Sequence, residues 1–191
     1  MRSHQAWLDF CGARMLVSSN DPKAINAFTC LFPAFLVEND GHPANLIFIL
    51  TETEKANTTT DLPLTWVGLM QEGYNARIHE SESKTVLIIE ERVAIHFDHS
   101  QGLVEATFPP GRLDEVITGA GFMIVAAAVE RKSQTLIHAA TLIERASGKA
   151  ILLCVPSGGG KTTTSLALAH DGYDLVTDDA SILAPILDGQ K

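Results

Sequence analysis

The stretch Val155-Pro156-Ser157-Gly158-Gly159-Gly160-Lys161-Thr162-Thr163 decides how this chain is read. Three consecutive glycines let a backbone curl with its amide N–H groups turned inward, the arrangement a polyphosphate requires. A helix predicted over Lys161 to His170 adds its N-terminal donors and the positive end of its dipole at the same point. Lys161 can reach β- and γ-phosphate oxygens, and the Thr162 hydroxyl can ligate Mg²⁺. Pro156, Ser157, Gly158, Gly159, Gly160, Lys161, Thr162 and Thr163 are the candidate nucleotide contacts. The loop departs from the usual pattern at Val155, where a glycine normally stands. A strand that runs one residue further accommodates that change.

Upstream, Thr135–Glu144 and Lys149–Val155 read as strands joined by Arg145-Ala146-Ser147-Gly148. So short a connection cannot make a parallel crossover, which predicts an antiparallel hairpin. Downstream, Gly172 suits the residue after a helix, and Tyr173–Thr177 reads as a strand ending at Asp178-Asp179. A short helix followed at once by a strand makes the briefest βαβ crossover, and returns the strand's end to the phosphate loop. Two adjacent carboxylates there can divide the labour, one holding Mg²⁺ and the other accepting a proton from an attacking hydroxyl. Thr162, Asp178 and Asp179 are the candidate metal ligands, with no basis for saying which aspartate does which. His138 lies in Leu136-Ile137-His138-Ala139-Ala140. A lone histidine on an apolar strand is ordinarily a core residue, but a strand beside the phosphate loop keeps a functional role open. His138, Asp178 and Asp179 are the candidate catalytic residues.

Further upstream, Ala76–Glu80, Lys84–Glu90, Arg92–His99 and Leu103–Phe108 are β-rich runs separated by short polar turns, which predicts an antiparallel meander. Pro109-Pro110-Gly111 breaks that pattern, and Leu113 to Arg131 follows as a helix with Asp114 and Glu115 in its first turn. The break divides the chain into a region 1–110 of α+β character and a nucleotide-binding domain 111–191. Before residue 72 the signal is mixed: a helix opening at Asp21-Pro22, a strand at Leu46–Leu50, and a polar loop from Thr51 to Asp61. At the other end a strand over Ser181–Leu187 runs into Asp188-Gly189, a turn dipeptide. The domain is therefore expected to be truncated at its C-terminus, with an unpaired apolar edge favouring a homo-oligomer.

Composition excludes several classes. The 191 residues carry a net charge of −9 with 46% hydrophobic and 19% charged residues, so wholesale disorder is ruled out. No Lys/Arg run offers a surface for nucleic acid or an anionic membrane. Three cysteines without ligand spacing argue against a disulfide scaffold or a structural zinc site. The N-terminus lacks the apolar segment of a signal peptide, and the run Val116 to Val129 is too short to span a bilayer. These features point to the cytoplasm.

His138, the loop Ser157 to Thr162, and Tyr173-Asp174-Leu175-Val176-Thr177-Asp178-Asp179 resemble the HPr kinase/phosphorylase-like family. That resemblance covers residues 133 to 184 and implies an α/β fold: a P-loop kinase-like core of the HPr kinase/phosphoenolpyruvate carboxykinase type, preceded by an α+β region containing the meander. It implies an ATP-dependent kinase with Mg²⁺ that phosphorylates a hydroxyl, serine above all, of a protein, peptide or small molecule. By the same analogy the loop and Lys161 bind phosphates, Thr162 and one aspartate serve the metal, the other aspartate is the base, and His138 lies near the centre. Two other readings stay open. One is an ABC-type ATPase fragment, which needs a signature helix and an Asp-Glu strand further downstream. The other is a nucleotide-binding regulatory module without catalysis.

Overall fold

The computed structural model describes residues 3–70, 72–156 and 158–185. It divides into two compact units, Met1–Lys132 and Ser133–Lys191.

The first unit opens with a hairpin of β1 (His4–Phe10) and β2 (Ala13–Ser19). Cys11 and Gly12 join them at φ 55° and 91°, the left-handed pair that a two-residue turn demands. Asp21 caps α1 (Pro22–Thr29) by accepting the Lys23 amide, with Pro22 at the first helical position. A two-residue strand β3 (Leu36–Val37) pairs with β1, and β4 (Leu46–Glu52) runs parallel to β2. Five further strands follow: β5 (Leu64–Leu69), β6 (Asn75–Glu80), β7 (Lys84–Ile89), β8 (Val93–Asp98) and β9 (Leu103–Phe108). They form an antiparallel meander whose last strand lies parallel to β4, closing a nine-stranded sheet in the order β3-β1-β2-β4-β9-β8-β7-β6-β5. The helix α2 (Leu113–Glu130) packs on the centre of that sheet.

Register explains the core. Val17, Phe48 and Val104 lie side by side on β2, β4 and β9, and all three are buried. Phe48 meets Phe28 of α1 with ring centroids 5.1 Å apart. On β6, Arg77 and His79 alternate onto the face opposite Ile78. There they donate to, or share a hydrogen with, the carbonyls of Thr58 and Leu62 at 3.3 and 2.9 Å. The stretch expected to be a solvated loop is thus held down, with Ala56 buried within it.

The second unit contains β10 (Thr135–Ile137), β11 (Ala140–Glu144), β12 (Ala150–Leu153), α3 (Lys161–His170), β13 (Tyr173–Thr177) and β14 (Ser181–Leu183). β11 pairs antiparallel with both β12 and β13, while β10 pairs with β14. The hairpin entering the loop is as expected, and β12 and β13 run parallel to each other with β11 between them.

These facts correct the expected α/β P-loop kinase-like fold. Strands hold 40% of the described residues and helices 22%, the latter made of three α-helices and a short 3-10 turn at Pro33–Phe35. The segments before residue 72 join the meander in one mixed sheet. The second unit's strands make small sheets of two and three, accompanied by a single helix rather than flanked on both faces. The division between units falls after Lys132, later than the Pro109-Pro110-Gly111 break. α2 stays with the first unit because it buries Val116, Ile124 and Val129 there. Ser181–Leu183 pairs along one side with β10 in a two-stranded sheet, and the end of the expected strand from Ile186, with Asp188-Gly189, lies outside the described residues. Among the described residues, no helix is long and apolar enough to cross a membrane.

Candidate phosphate-binding site

The loop's geometry follows from its glycines. β12 ends at Leu153, and the positive φ angles fall on Gly158 at 76° and Gly160 at 84°. These are values that β-carbon sterics make costly for any other residue. A Cβ at either position would meet nothing within 4 Å, so backbone conformation and not crowding is what calls for glycine there. Gly159 is needed for a different reason: a Cβ there would stand 2.9 Å from the Pro156 carbonyl oxygen. That carbonyl accepts the Gly159 amide at 2.9 Å, closing a tight turn and committing one of the loop's donors internally. The strand thus stops short of Val155 instead of running on through it as expected, and the turning is done by Gly158 to Gly160. Ser157 lies outside the described residues.

Gly160 is the N-cap of α3 and offers no side chain to the first-turn amides, as an anion-accepting terminus requires. Ser165, fully buried, donates to the Lys161 carbonyl at 2.8 Å and fixes the first turn from behind. Thr162 and Thr163 are exposed on that turn.

The run predicted as one strand over Thr135–Glu144 breaks at His138-Ala139, between β10 and β11. The break lets a half-exposed His138 reach two of the other candidates. Its Nε2 lies 2.7 Å from Lys161 Nζ, and its Nδ1 lies 3.2 Å from Asp179 Oδ1. With the ammonium as donor, Nε2 accepts, which leaves the ring hydrogen on Nδ1 to be donated to the carboxylate. Loop, strand break and aspartate pair are thereby linked through one imidazole. At the end of β13 the Asp179 amide donates to Thr177 Oγ1 at 3.3 Å, a local turn that sets the aspartate's backbone. Asp178 is exposed beside it. Thr177 was not among the candidates, although a threonine two residues before an acidic turn residue is a readable signal for such a bond. Further out, Thr141 and Ser181 share a hydroxyl–hydroxyl bond between β11 and β14, and Arg145 donates to Asp174 at 2.8 Å between the hairpin and β13.

Among the described residues no three His, Cys, Asp or Glu side chains gather closely enough to cage a metal ion. Mg²⁺ in phosphoryl-transfer sites needs only one or two carboxylates, with substrate phosphates and water completing its shell. Asp178 and Asp179 are the carboxylates here that could serve such an ion, beside the loop of Gly158 to Gly160. Compared with family models, with curated proteins and with solved structures, the chain matches none.

Proposed function

We propose that the second unit binds a magnesium nucleoside triphosphate at residues 156–163 and transfers its terminal phosphoryl group to a hydroxyl acceptor of the serine type. The observation that carries this reading is the Lys161–His138–Asp179 connection. It joins a cation at the phosphate loop to a carboxylate at the end of β13. In the proposed reaction the acceptor oxygen bonds the γ-phosphorus, the nucleoside diphosphate leaves, and the hydroxyl proton passes to Asp179. His138 holds that carboxylate through Nδ1–H and hands Lys161 to the β- and γ-phosphates on binding. Asp178 and Thr162 would hold Mg²⁺, which supplies charge neutralisation between the phosphates. The three cysteines are all exposed, which suits the reducing cytoplasm where we place the chain.

A second reading, nucleotide binding without transfer, is favoured by one feature: the Gly159 amide and the Lys161 ammonium already have partners inside the protein. Asp178→Asn and Asp179→Asn separate the two. Under the kinase reading Asp179→Asn loses acceptor-dependent nucleotide turnover yet keeps Mg²⁺-dependent binding, whereas Asp178→Asn loses both. If acceptors of every kind fail to raise turnover in the unmodified chain while binding is intact, the regulatory reading stands instead.

A further inference from the structure

The two edges of the nine-stranded sheet are built differently. At one end β3 is two residues long and runs into Glu38 and Asp40, a short and charged edge of the kind that resists pairing. At the other end β5, Leu64-Thr65-Trp66-Val67-Gly68-Leu69, carries no ionisable side chain. Leu64, Trp66, Val67 and Leu69 are exposed by 56, 40, 69 and 65%. A bulge between Leu64 and Trp66 protects only the beginning of the strand, and Trp66 to Leu69 pair regularly with β6. Beyond the strand the Met70 amide donates to the Tyr74 carbonyl at 2.8 Å. Antiparallel alternation from that bond turns the backbone groups of Gly68 and Trp66 toward β6, and those of Val67 and Leu69 outward.

We infer that β5 is a self-association edge, pairing antiparallel with β5 of a second copy across a two-fold axis and joining the two large sheets. Charge selects this occupant. Copies with a net charge of −9 each repel one another overall, but a β5–β5 ladder sets no charge opposite another. A strongly acidic or basic peptide finds no complementary charge along the strand. A two-fold axis through this segment brings Val67 opposite either Val67 or Leu69 of the second copy, apolar on apolar in both registers, and satisfies the outward N–H and C=O groups of both strands. The inference concerns the first unit and does not depend on the nucleotide reading.

Light scattering on the purified chain across the micromolar range tests it. The expected mass is twice 20.6 kDa, falling to 20.6 kDa in Val67→Lys and in Leu69→Lys, while Leu36→Lys on the opposite edge stays dimeric. Both lysine positions are solvent-facing, and an unchanged far-ultraviolet circular dichroism spectrum shows that each variant is folded. A monomer at every concentration overturns the inference. So does a dimer or larger species that survives both lysine substitutions, which would mean that another surface holds the copies together.

Discussion

Replacing Gly160 by alanine separates backbone strain from every other effect in the phosphate loop. Gly160 sits at φ 84° and ψ 16° as the N-cap of α3, and an added Cβ would touch nothing within 4 Å. No neighbour clash contributes, so the cost is that of holding a β-carbon in the left-handed region, about 1–2 kcal/mol. α3 has ten residues with Ser165 alone buried, and a helix that short has little reserve of its own. The loss should therefore appear locally. Gly121 is the matched control. It lies inside α2 with ordinary helical angles and equally open space at its Cβ, so Gly121→Ala should stabilise the first unit by about 0.8–1.0 kcal/mol. The same substitution thus carries opposite signs at the two sites. Trp7 and Trp66 both lie in the first unit, so tryptophan fluorescence in urea reads that unit. Hydrogen exchange of peptides covering 161–170 reads the other. Gly160→Ala should speed exchange there by a factor of about 5–30, the equivalent of one to two kcal/mol, without moving the fluorescence midpoint. Unchanged exchange in that variant would mean the loop does not use the left-handed turn, and the phosphate cradle built on it would fall.

His138→Ala removes bonds to groups well exposed to water, with His138 at 50% and Asp179 at 80%, so stability should change by under about 1 kcal/mol. The same change should lower acceptor-dependent transfer about 100-fold by releasing Lys161 and Asp179 from position; unaltered transfer would remove His138 from the site. Asp40 gives a pH prediction: the Arg14 guanidinium, and then the His42 amide, hold its carboxyl below the ordinary value of 3.8. A lowered carboxyl stabilises the fold above that value and loses its contribution as pH falls through the lower folded one. The urea midpoint of the unmodified chain should exceed that of Asp40→Asn at neutral pH, and the gap should close on acidification below 3.8; a gap independent of pH would contradict the pairing.

Local chemistry was legible where residue type and turn chemistry coincide. The glycine triplet, the helix from Lys161, the strand ending in paired aspartates and the four-strand meander all announce themselves through short-range pattern. The opening hairpin was missed although Cys11-Gly12 is a turn signal, because His4–Phe10 alternates poorly between apolar and polar residues. The joining of β2, β4 and β9 side by side in parallel depends on contacts between distant segments, which periodicity does not encode. The expected α/β class rested on the resemblance over residues 133–184, whereas most of the strands lie in this mixed sheet of the first unit. The break at His138-Ala139 was equally silent, since an uninterrupted β-rich run reads as one strand. It is nevertheless the feature that brings His138 to Lys161 and Asp179.

The most direct test of the central claim is calorimetric titration of Mg·ATP into the unmodified chain and into Lys161→Ala, with thermal unfolding followed at saturation. Saturable, magnesium-dependent binding is expected, stabilising the chain by about 2.7 kcal/mol at 100 times the dissociation constant, with its loss in the variant. Absence of heat and of thermal shift at millimolar nucleotide, or equal binding by Lys161→Ala, would contradict it.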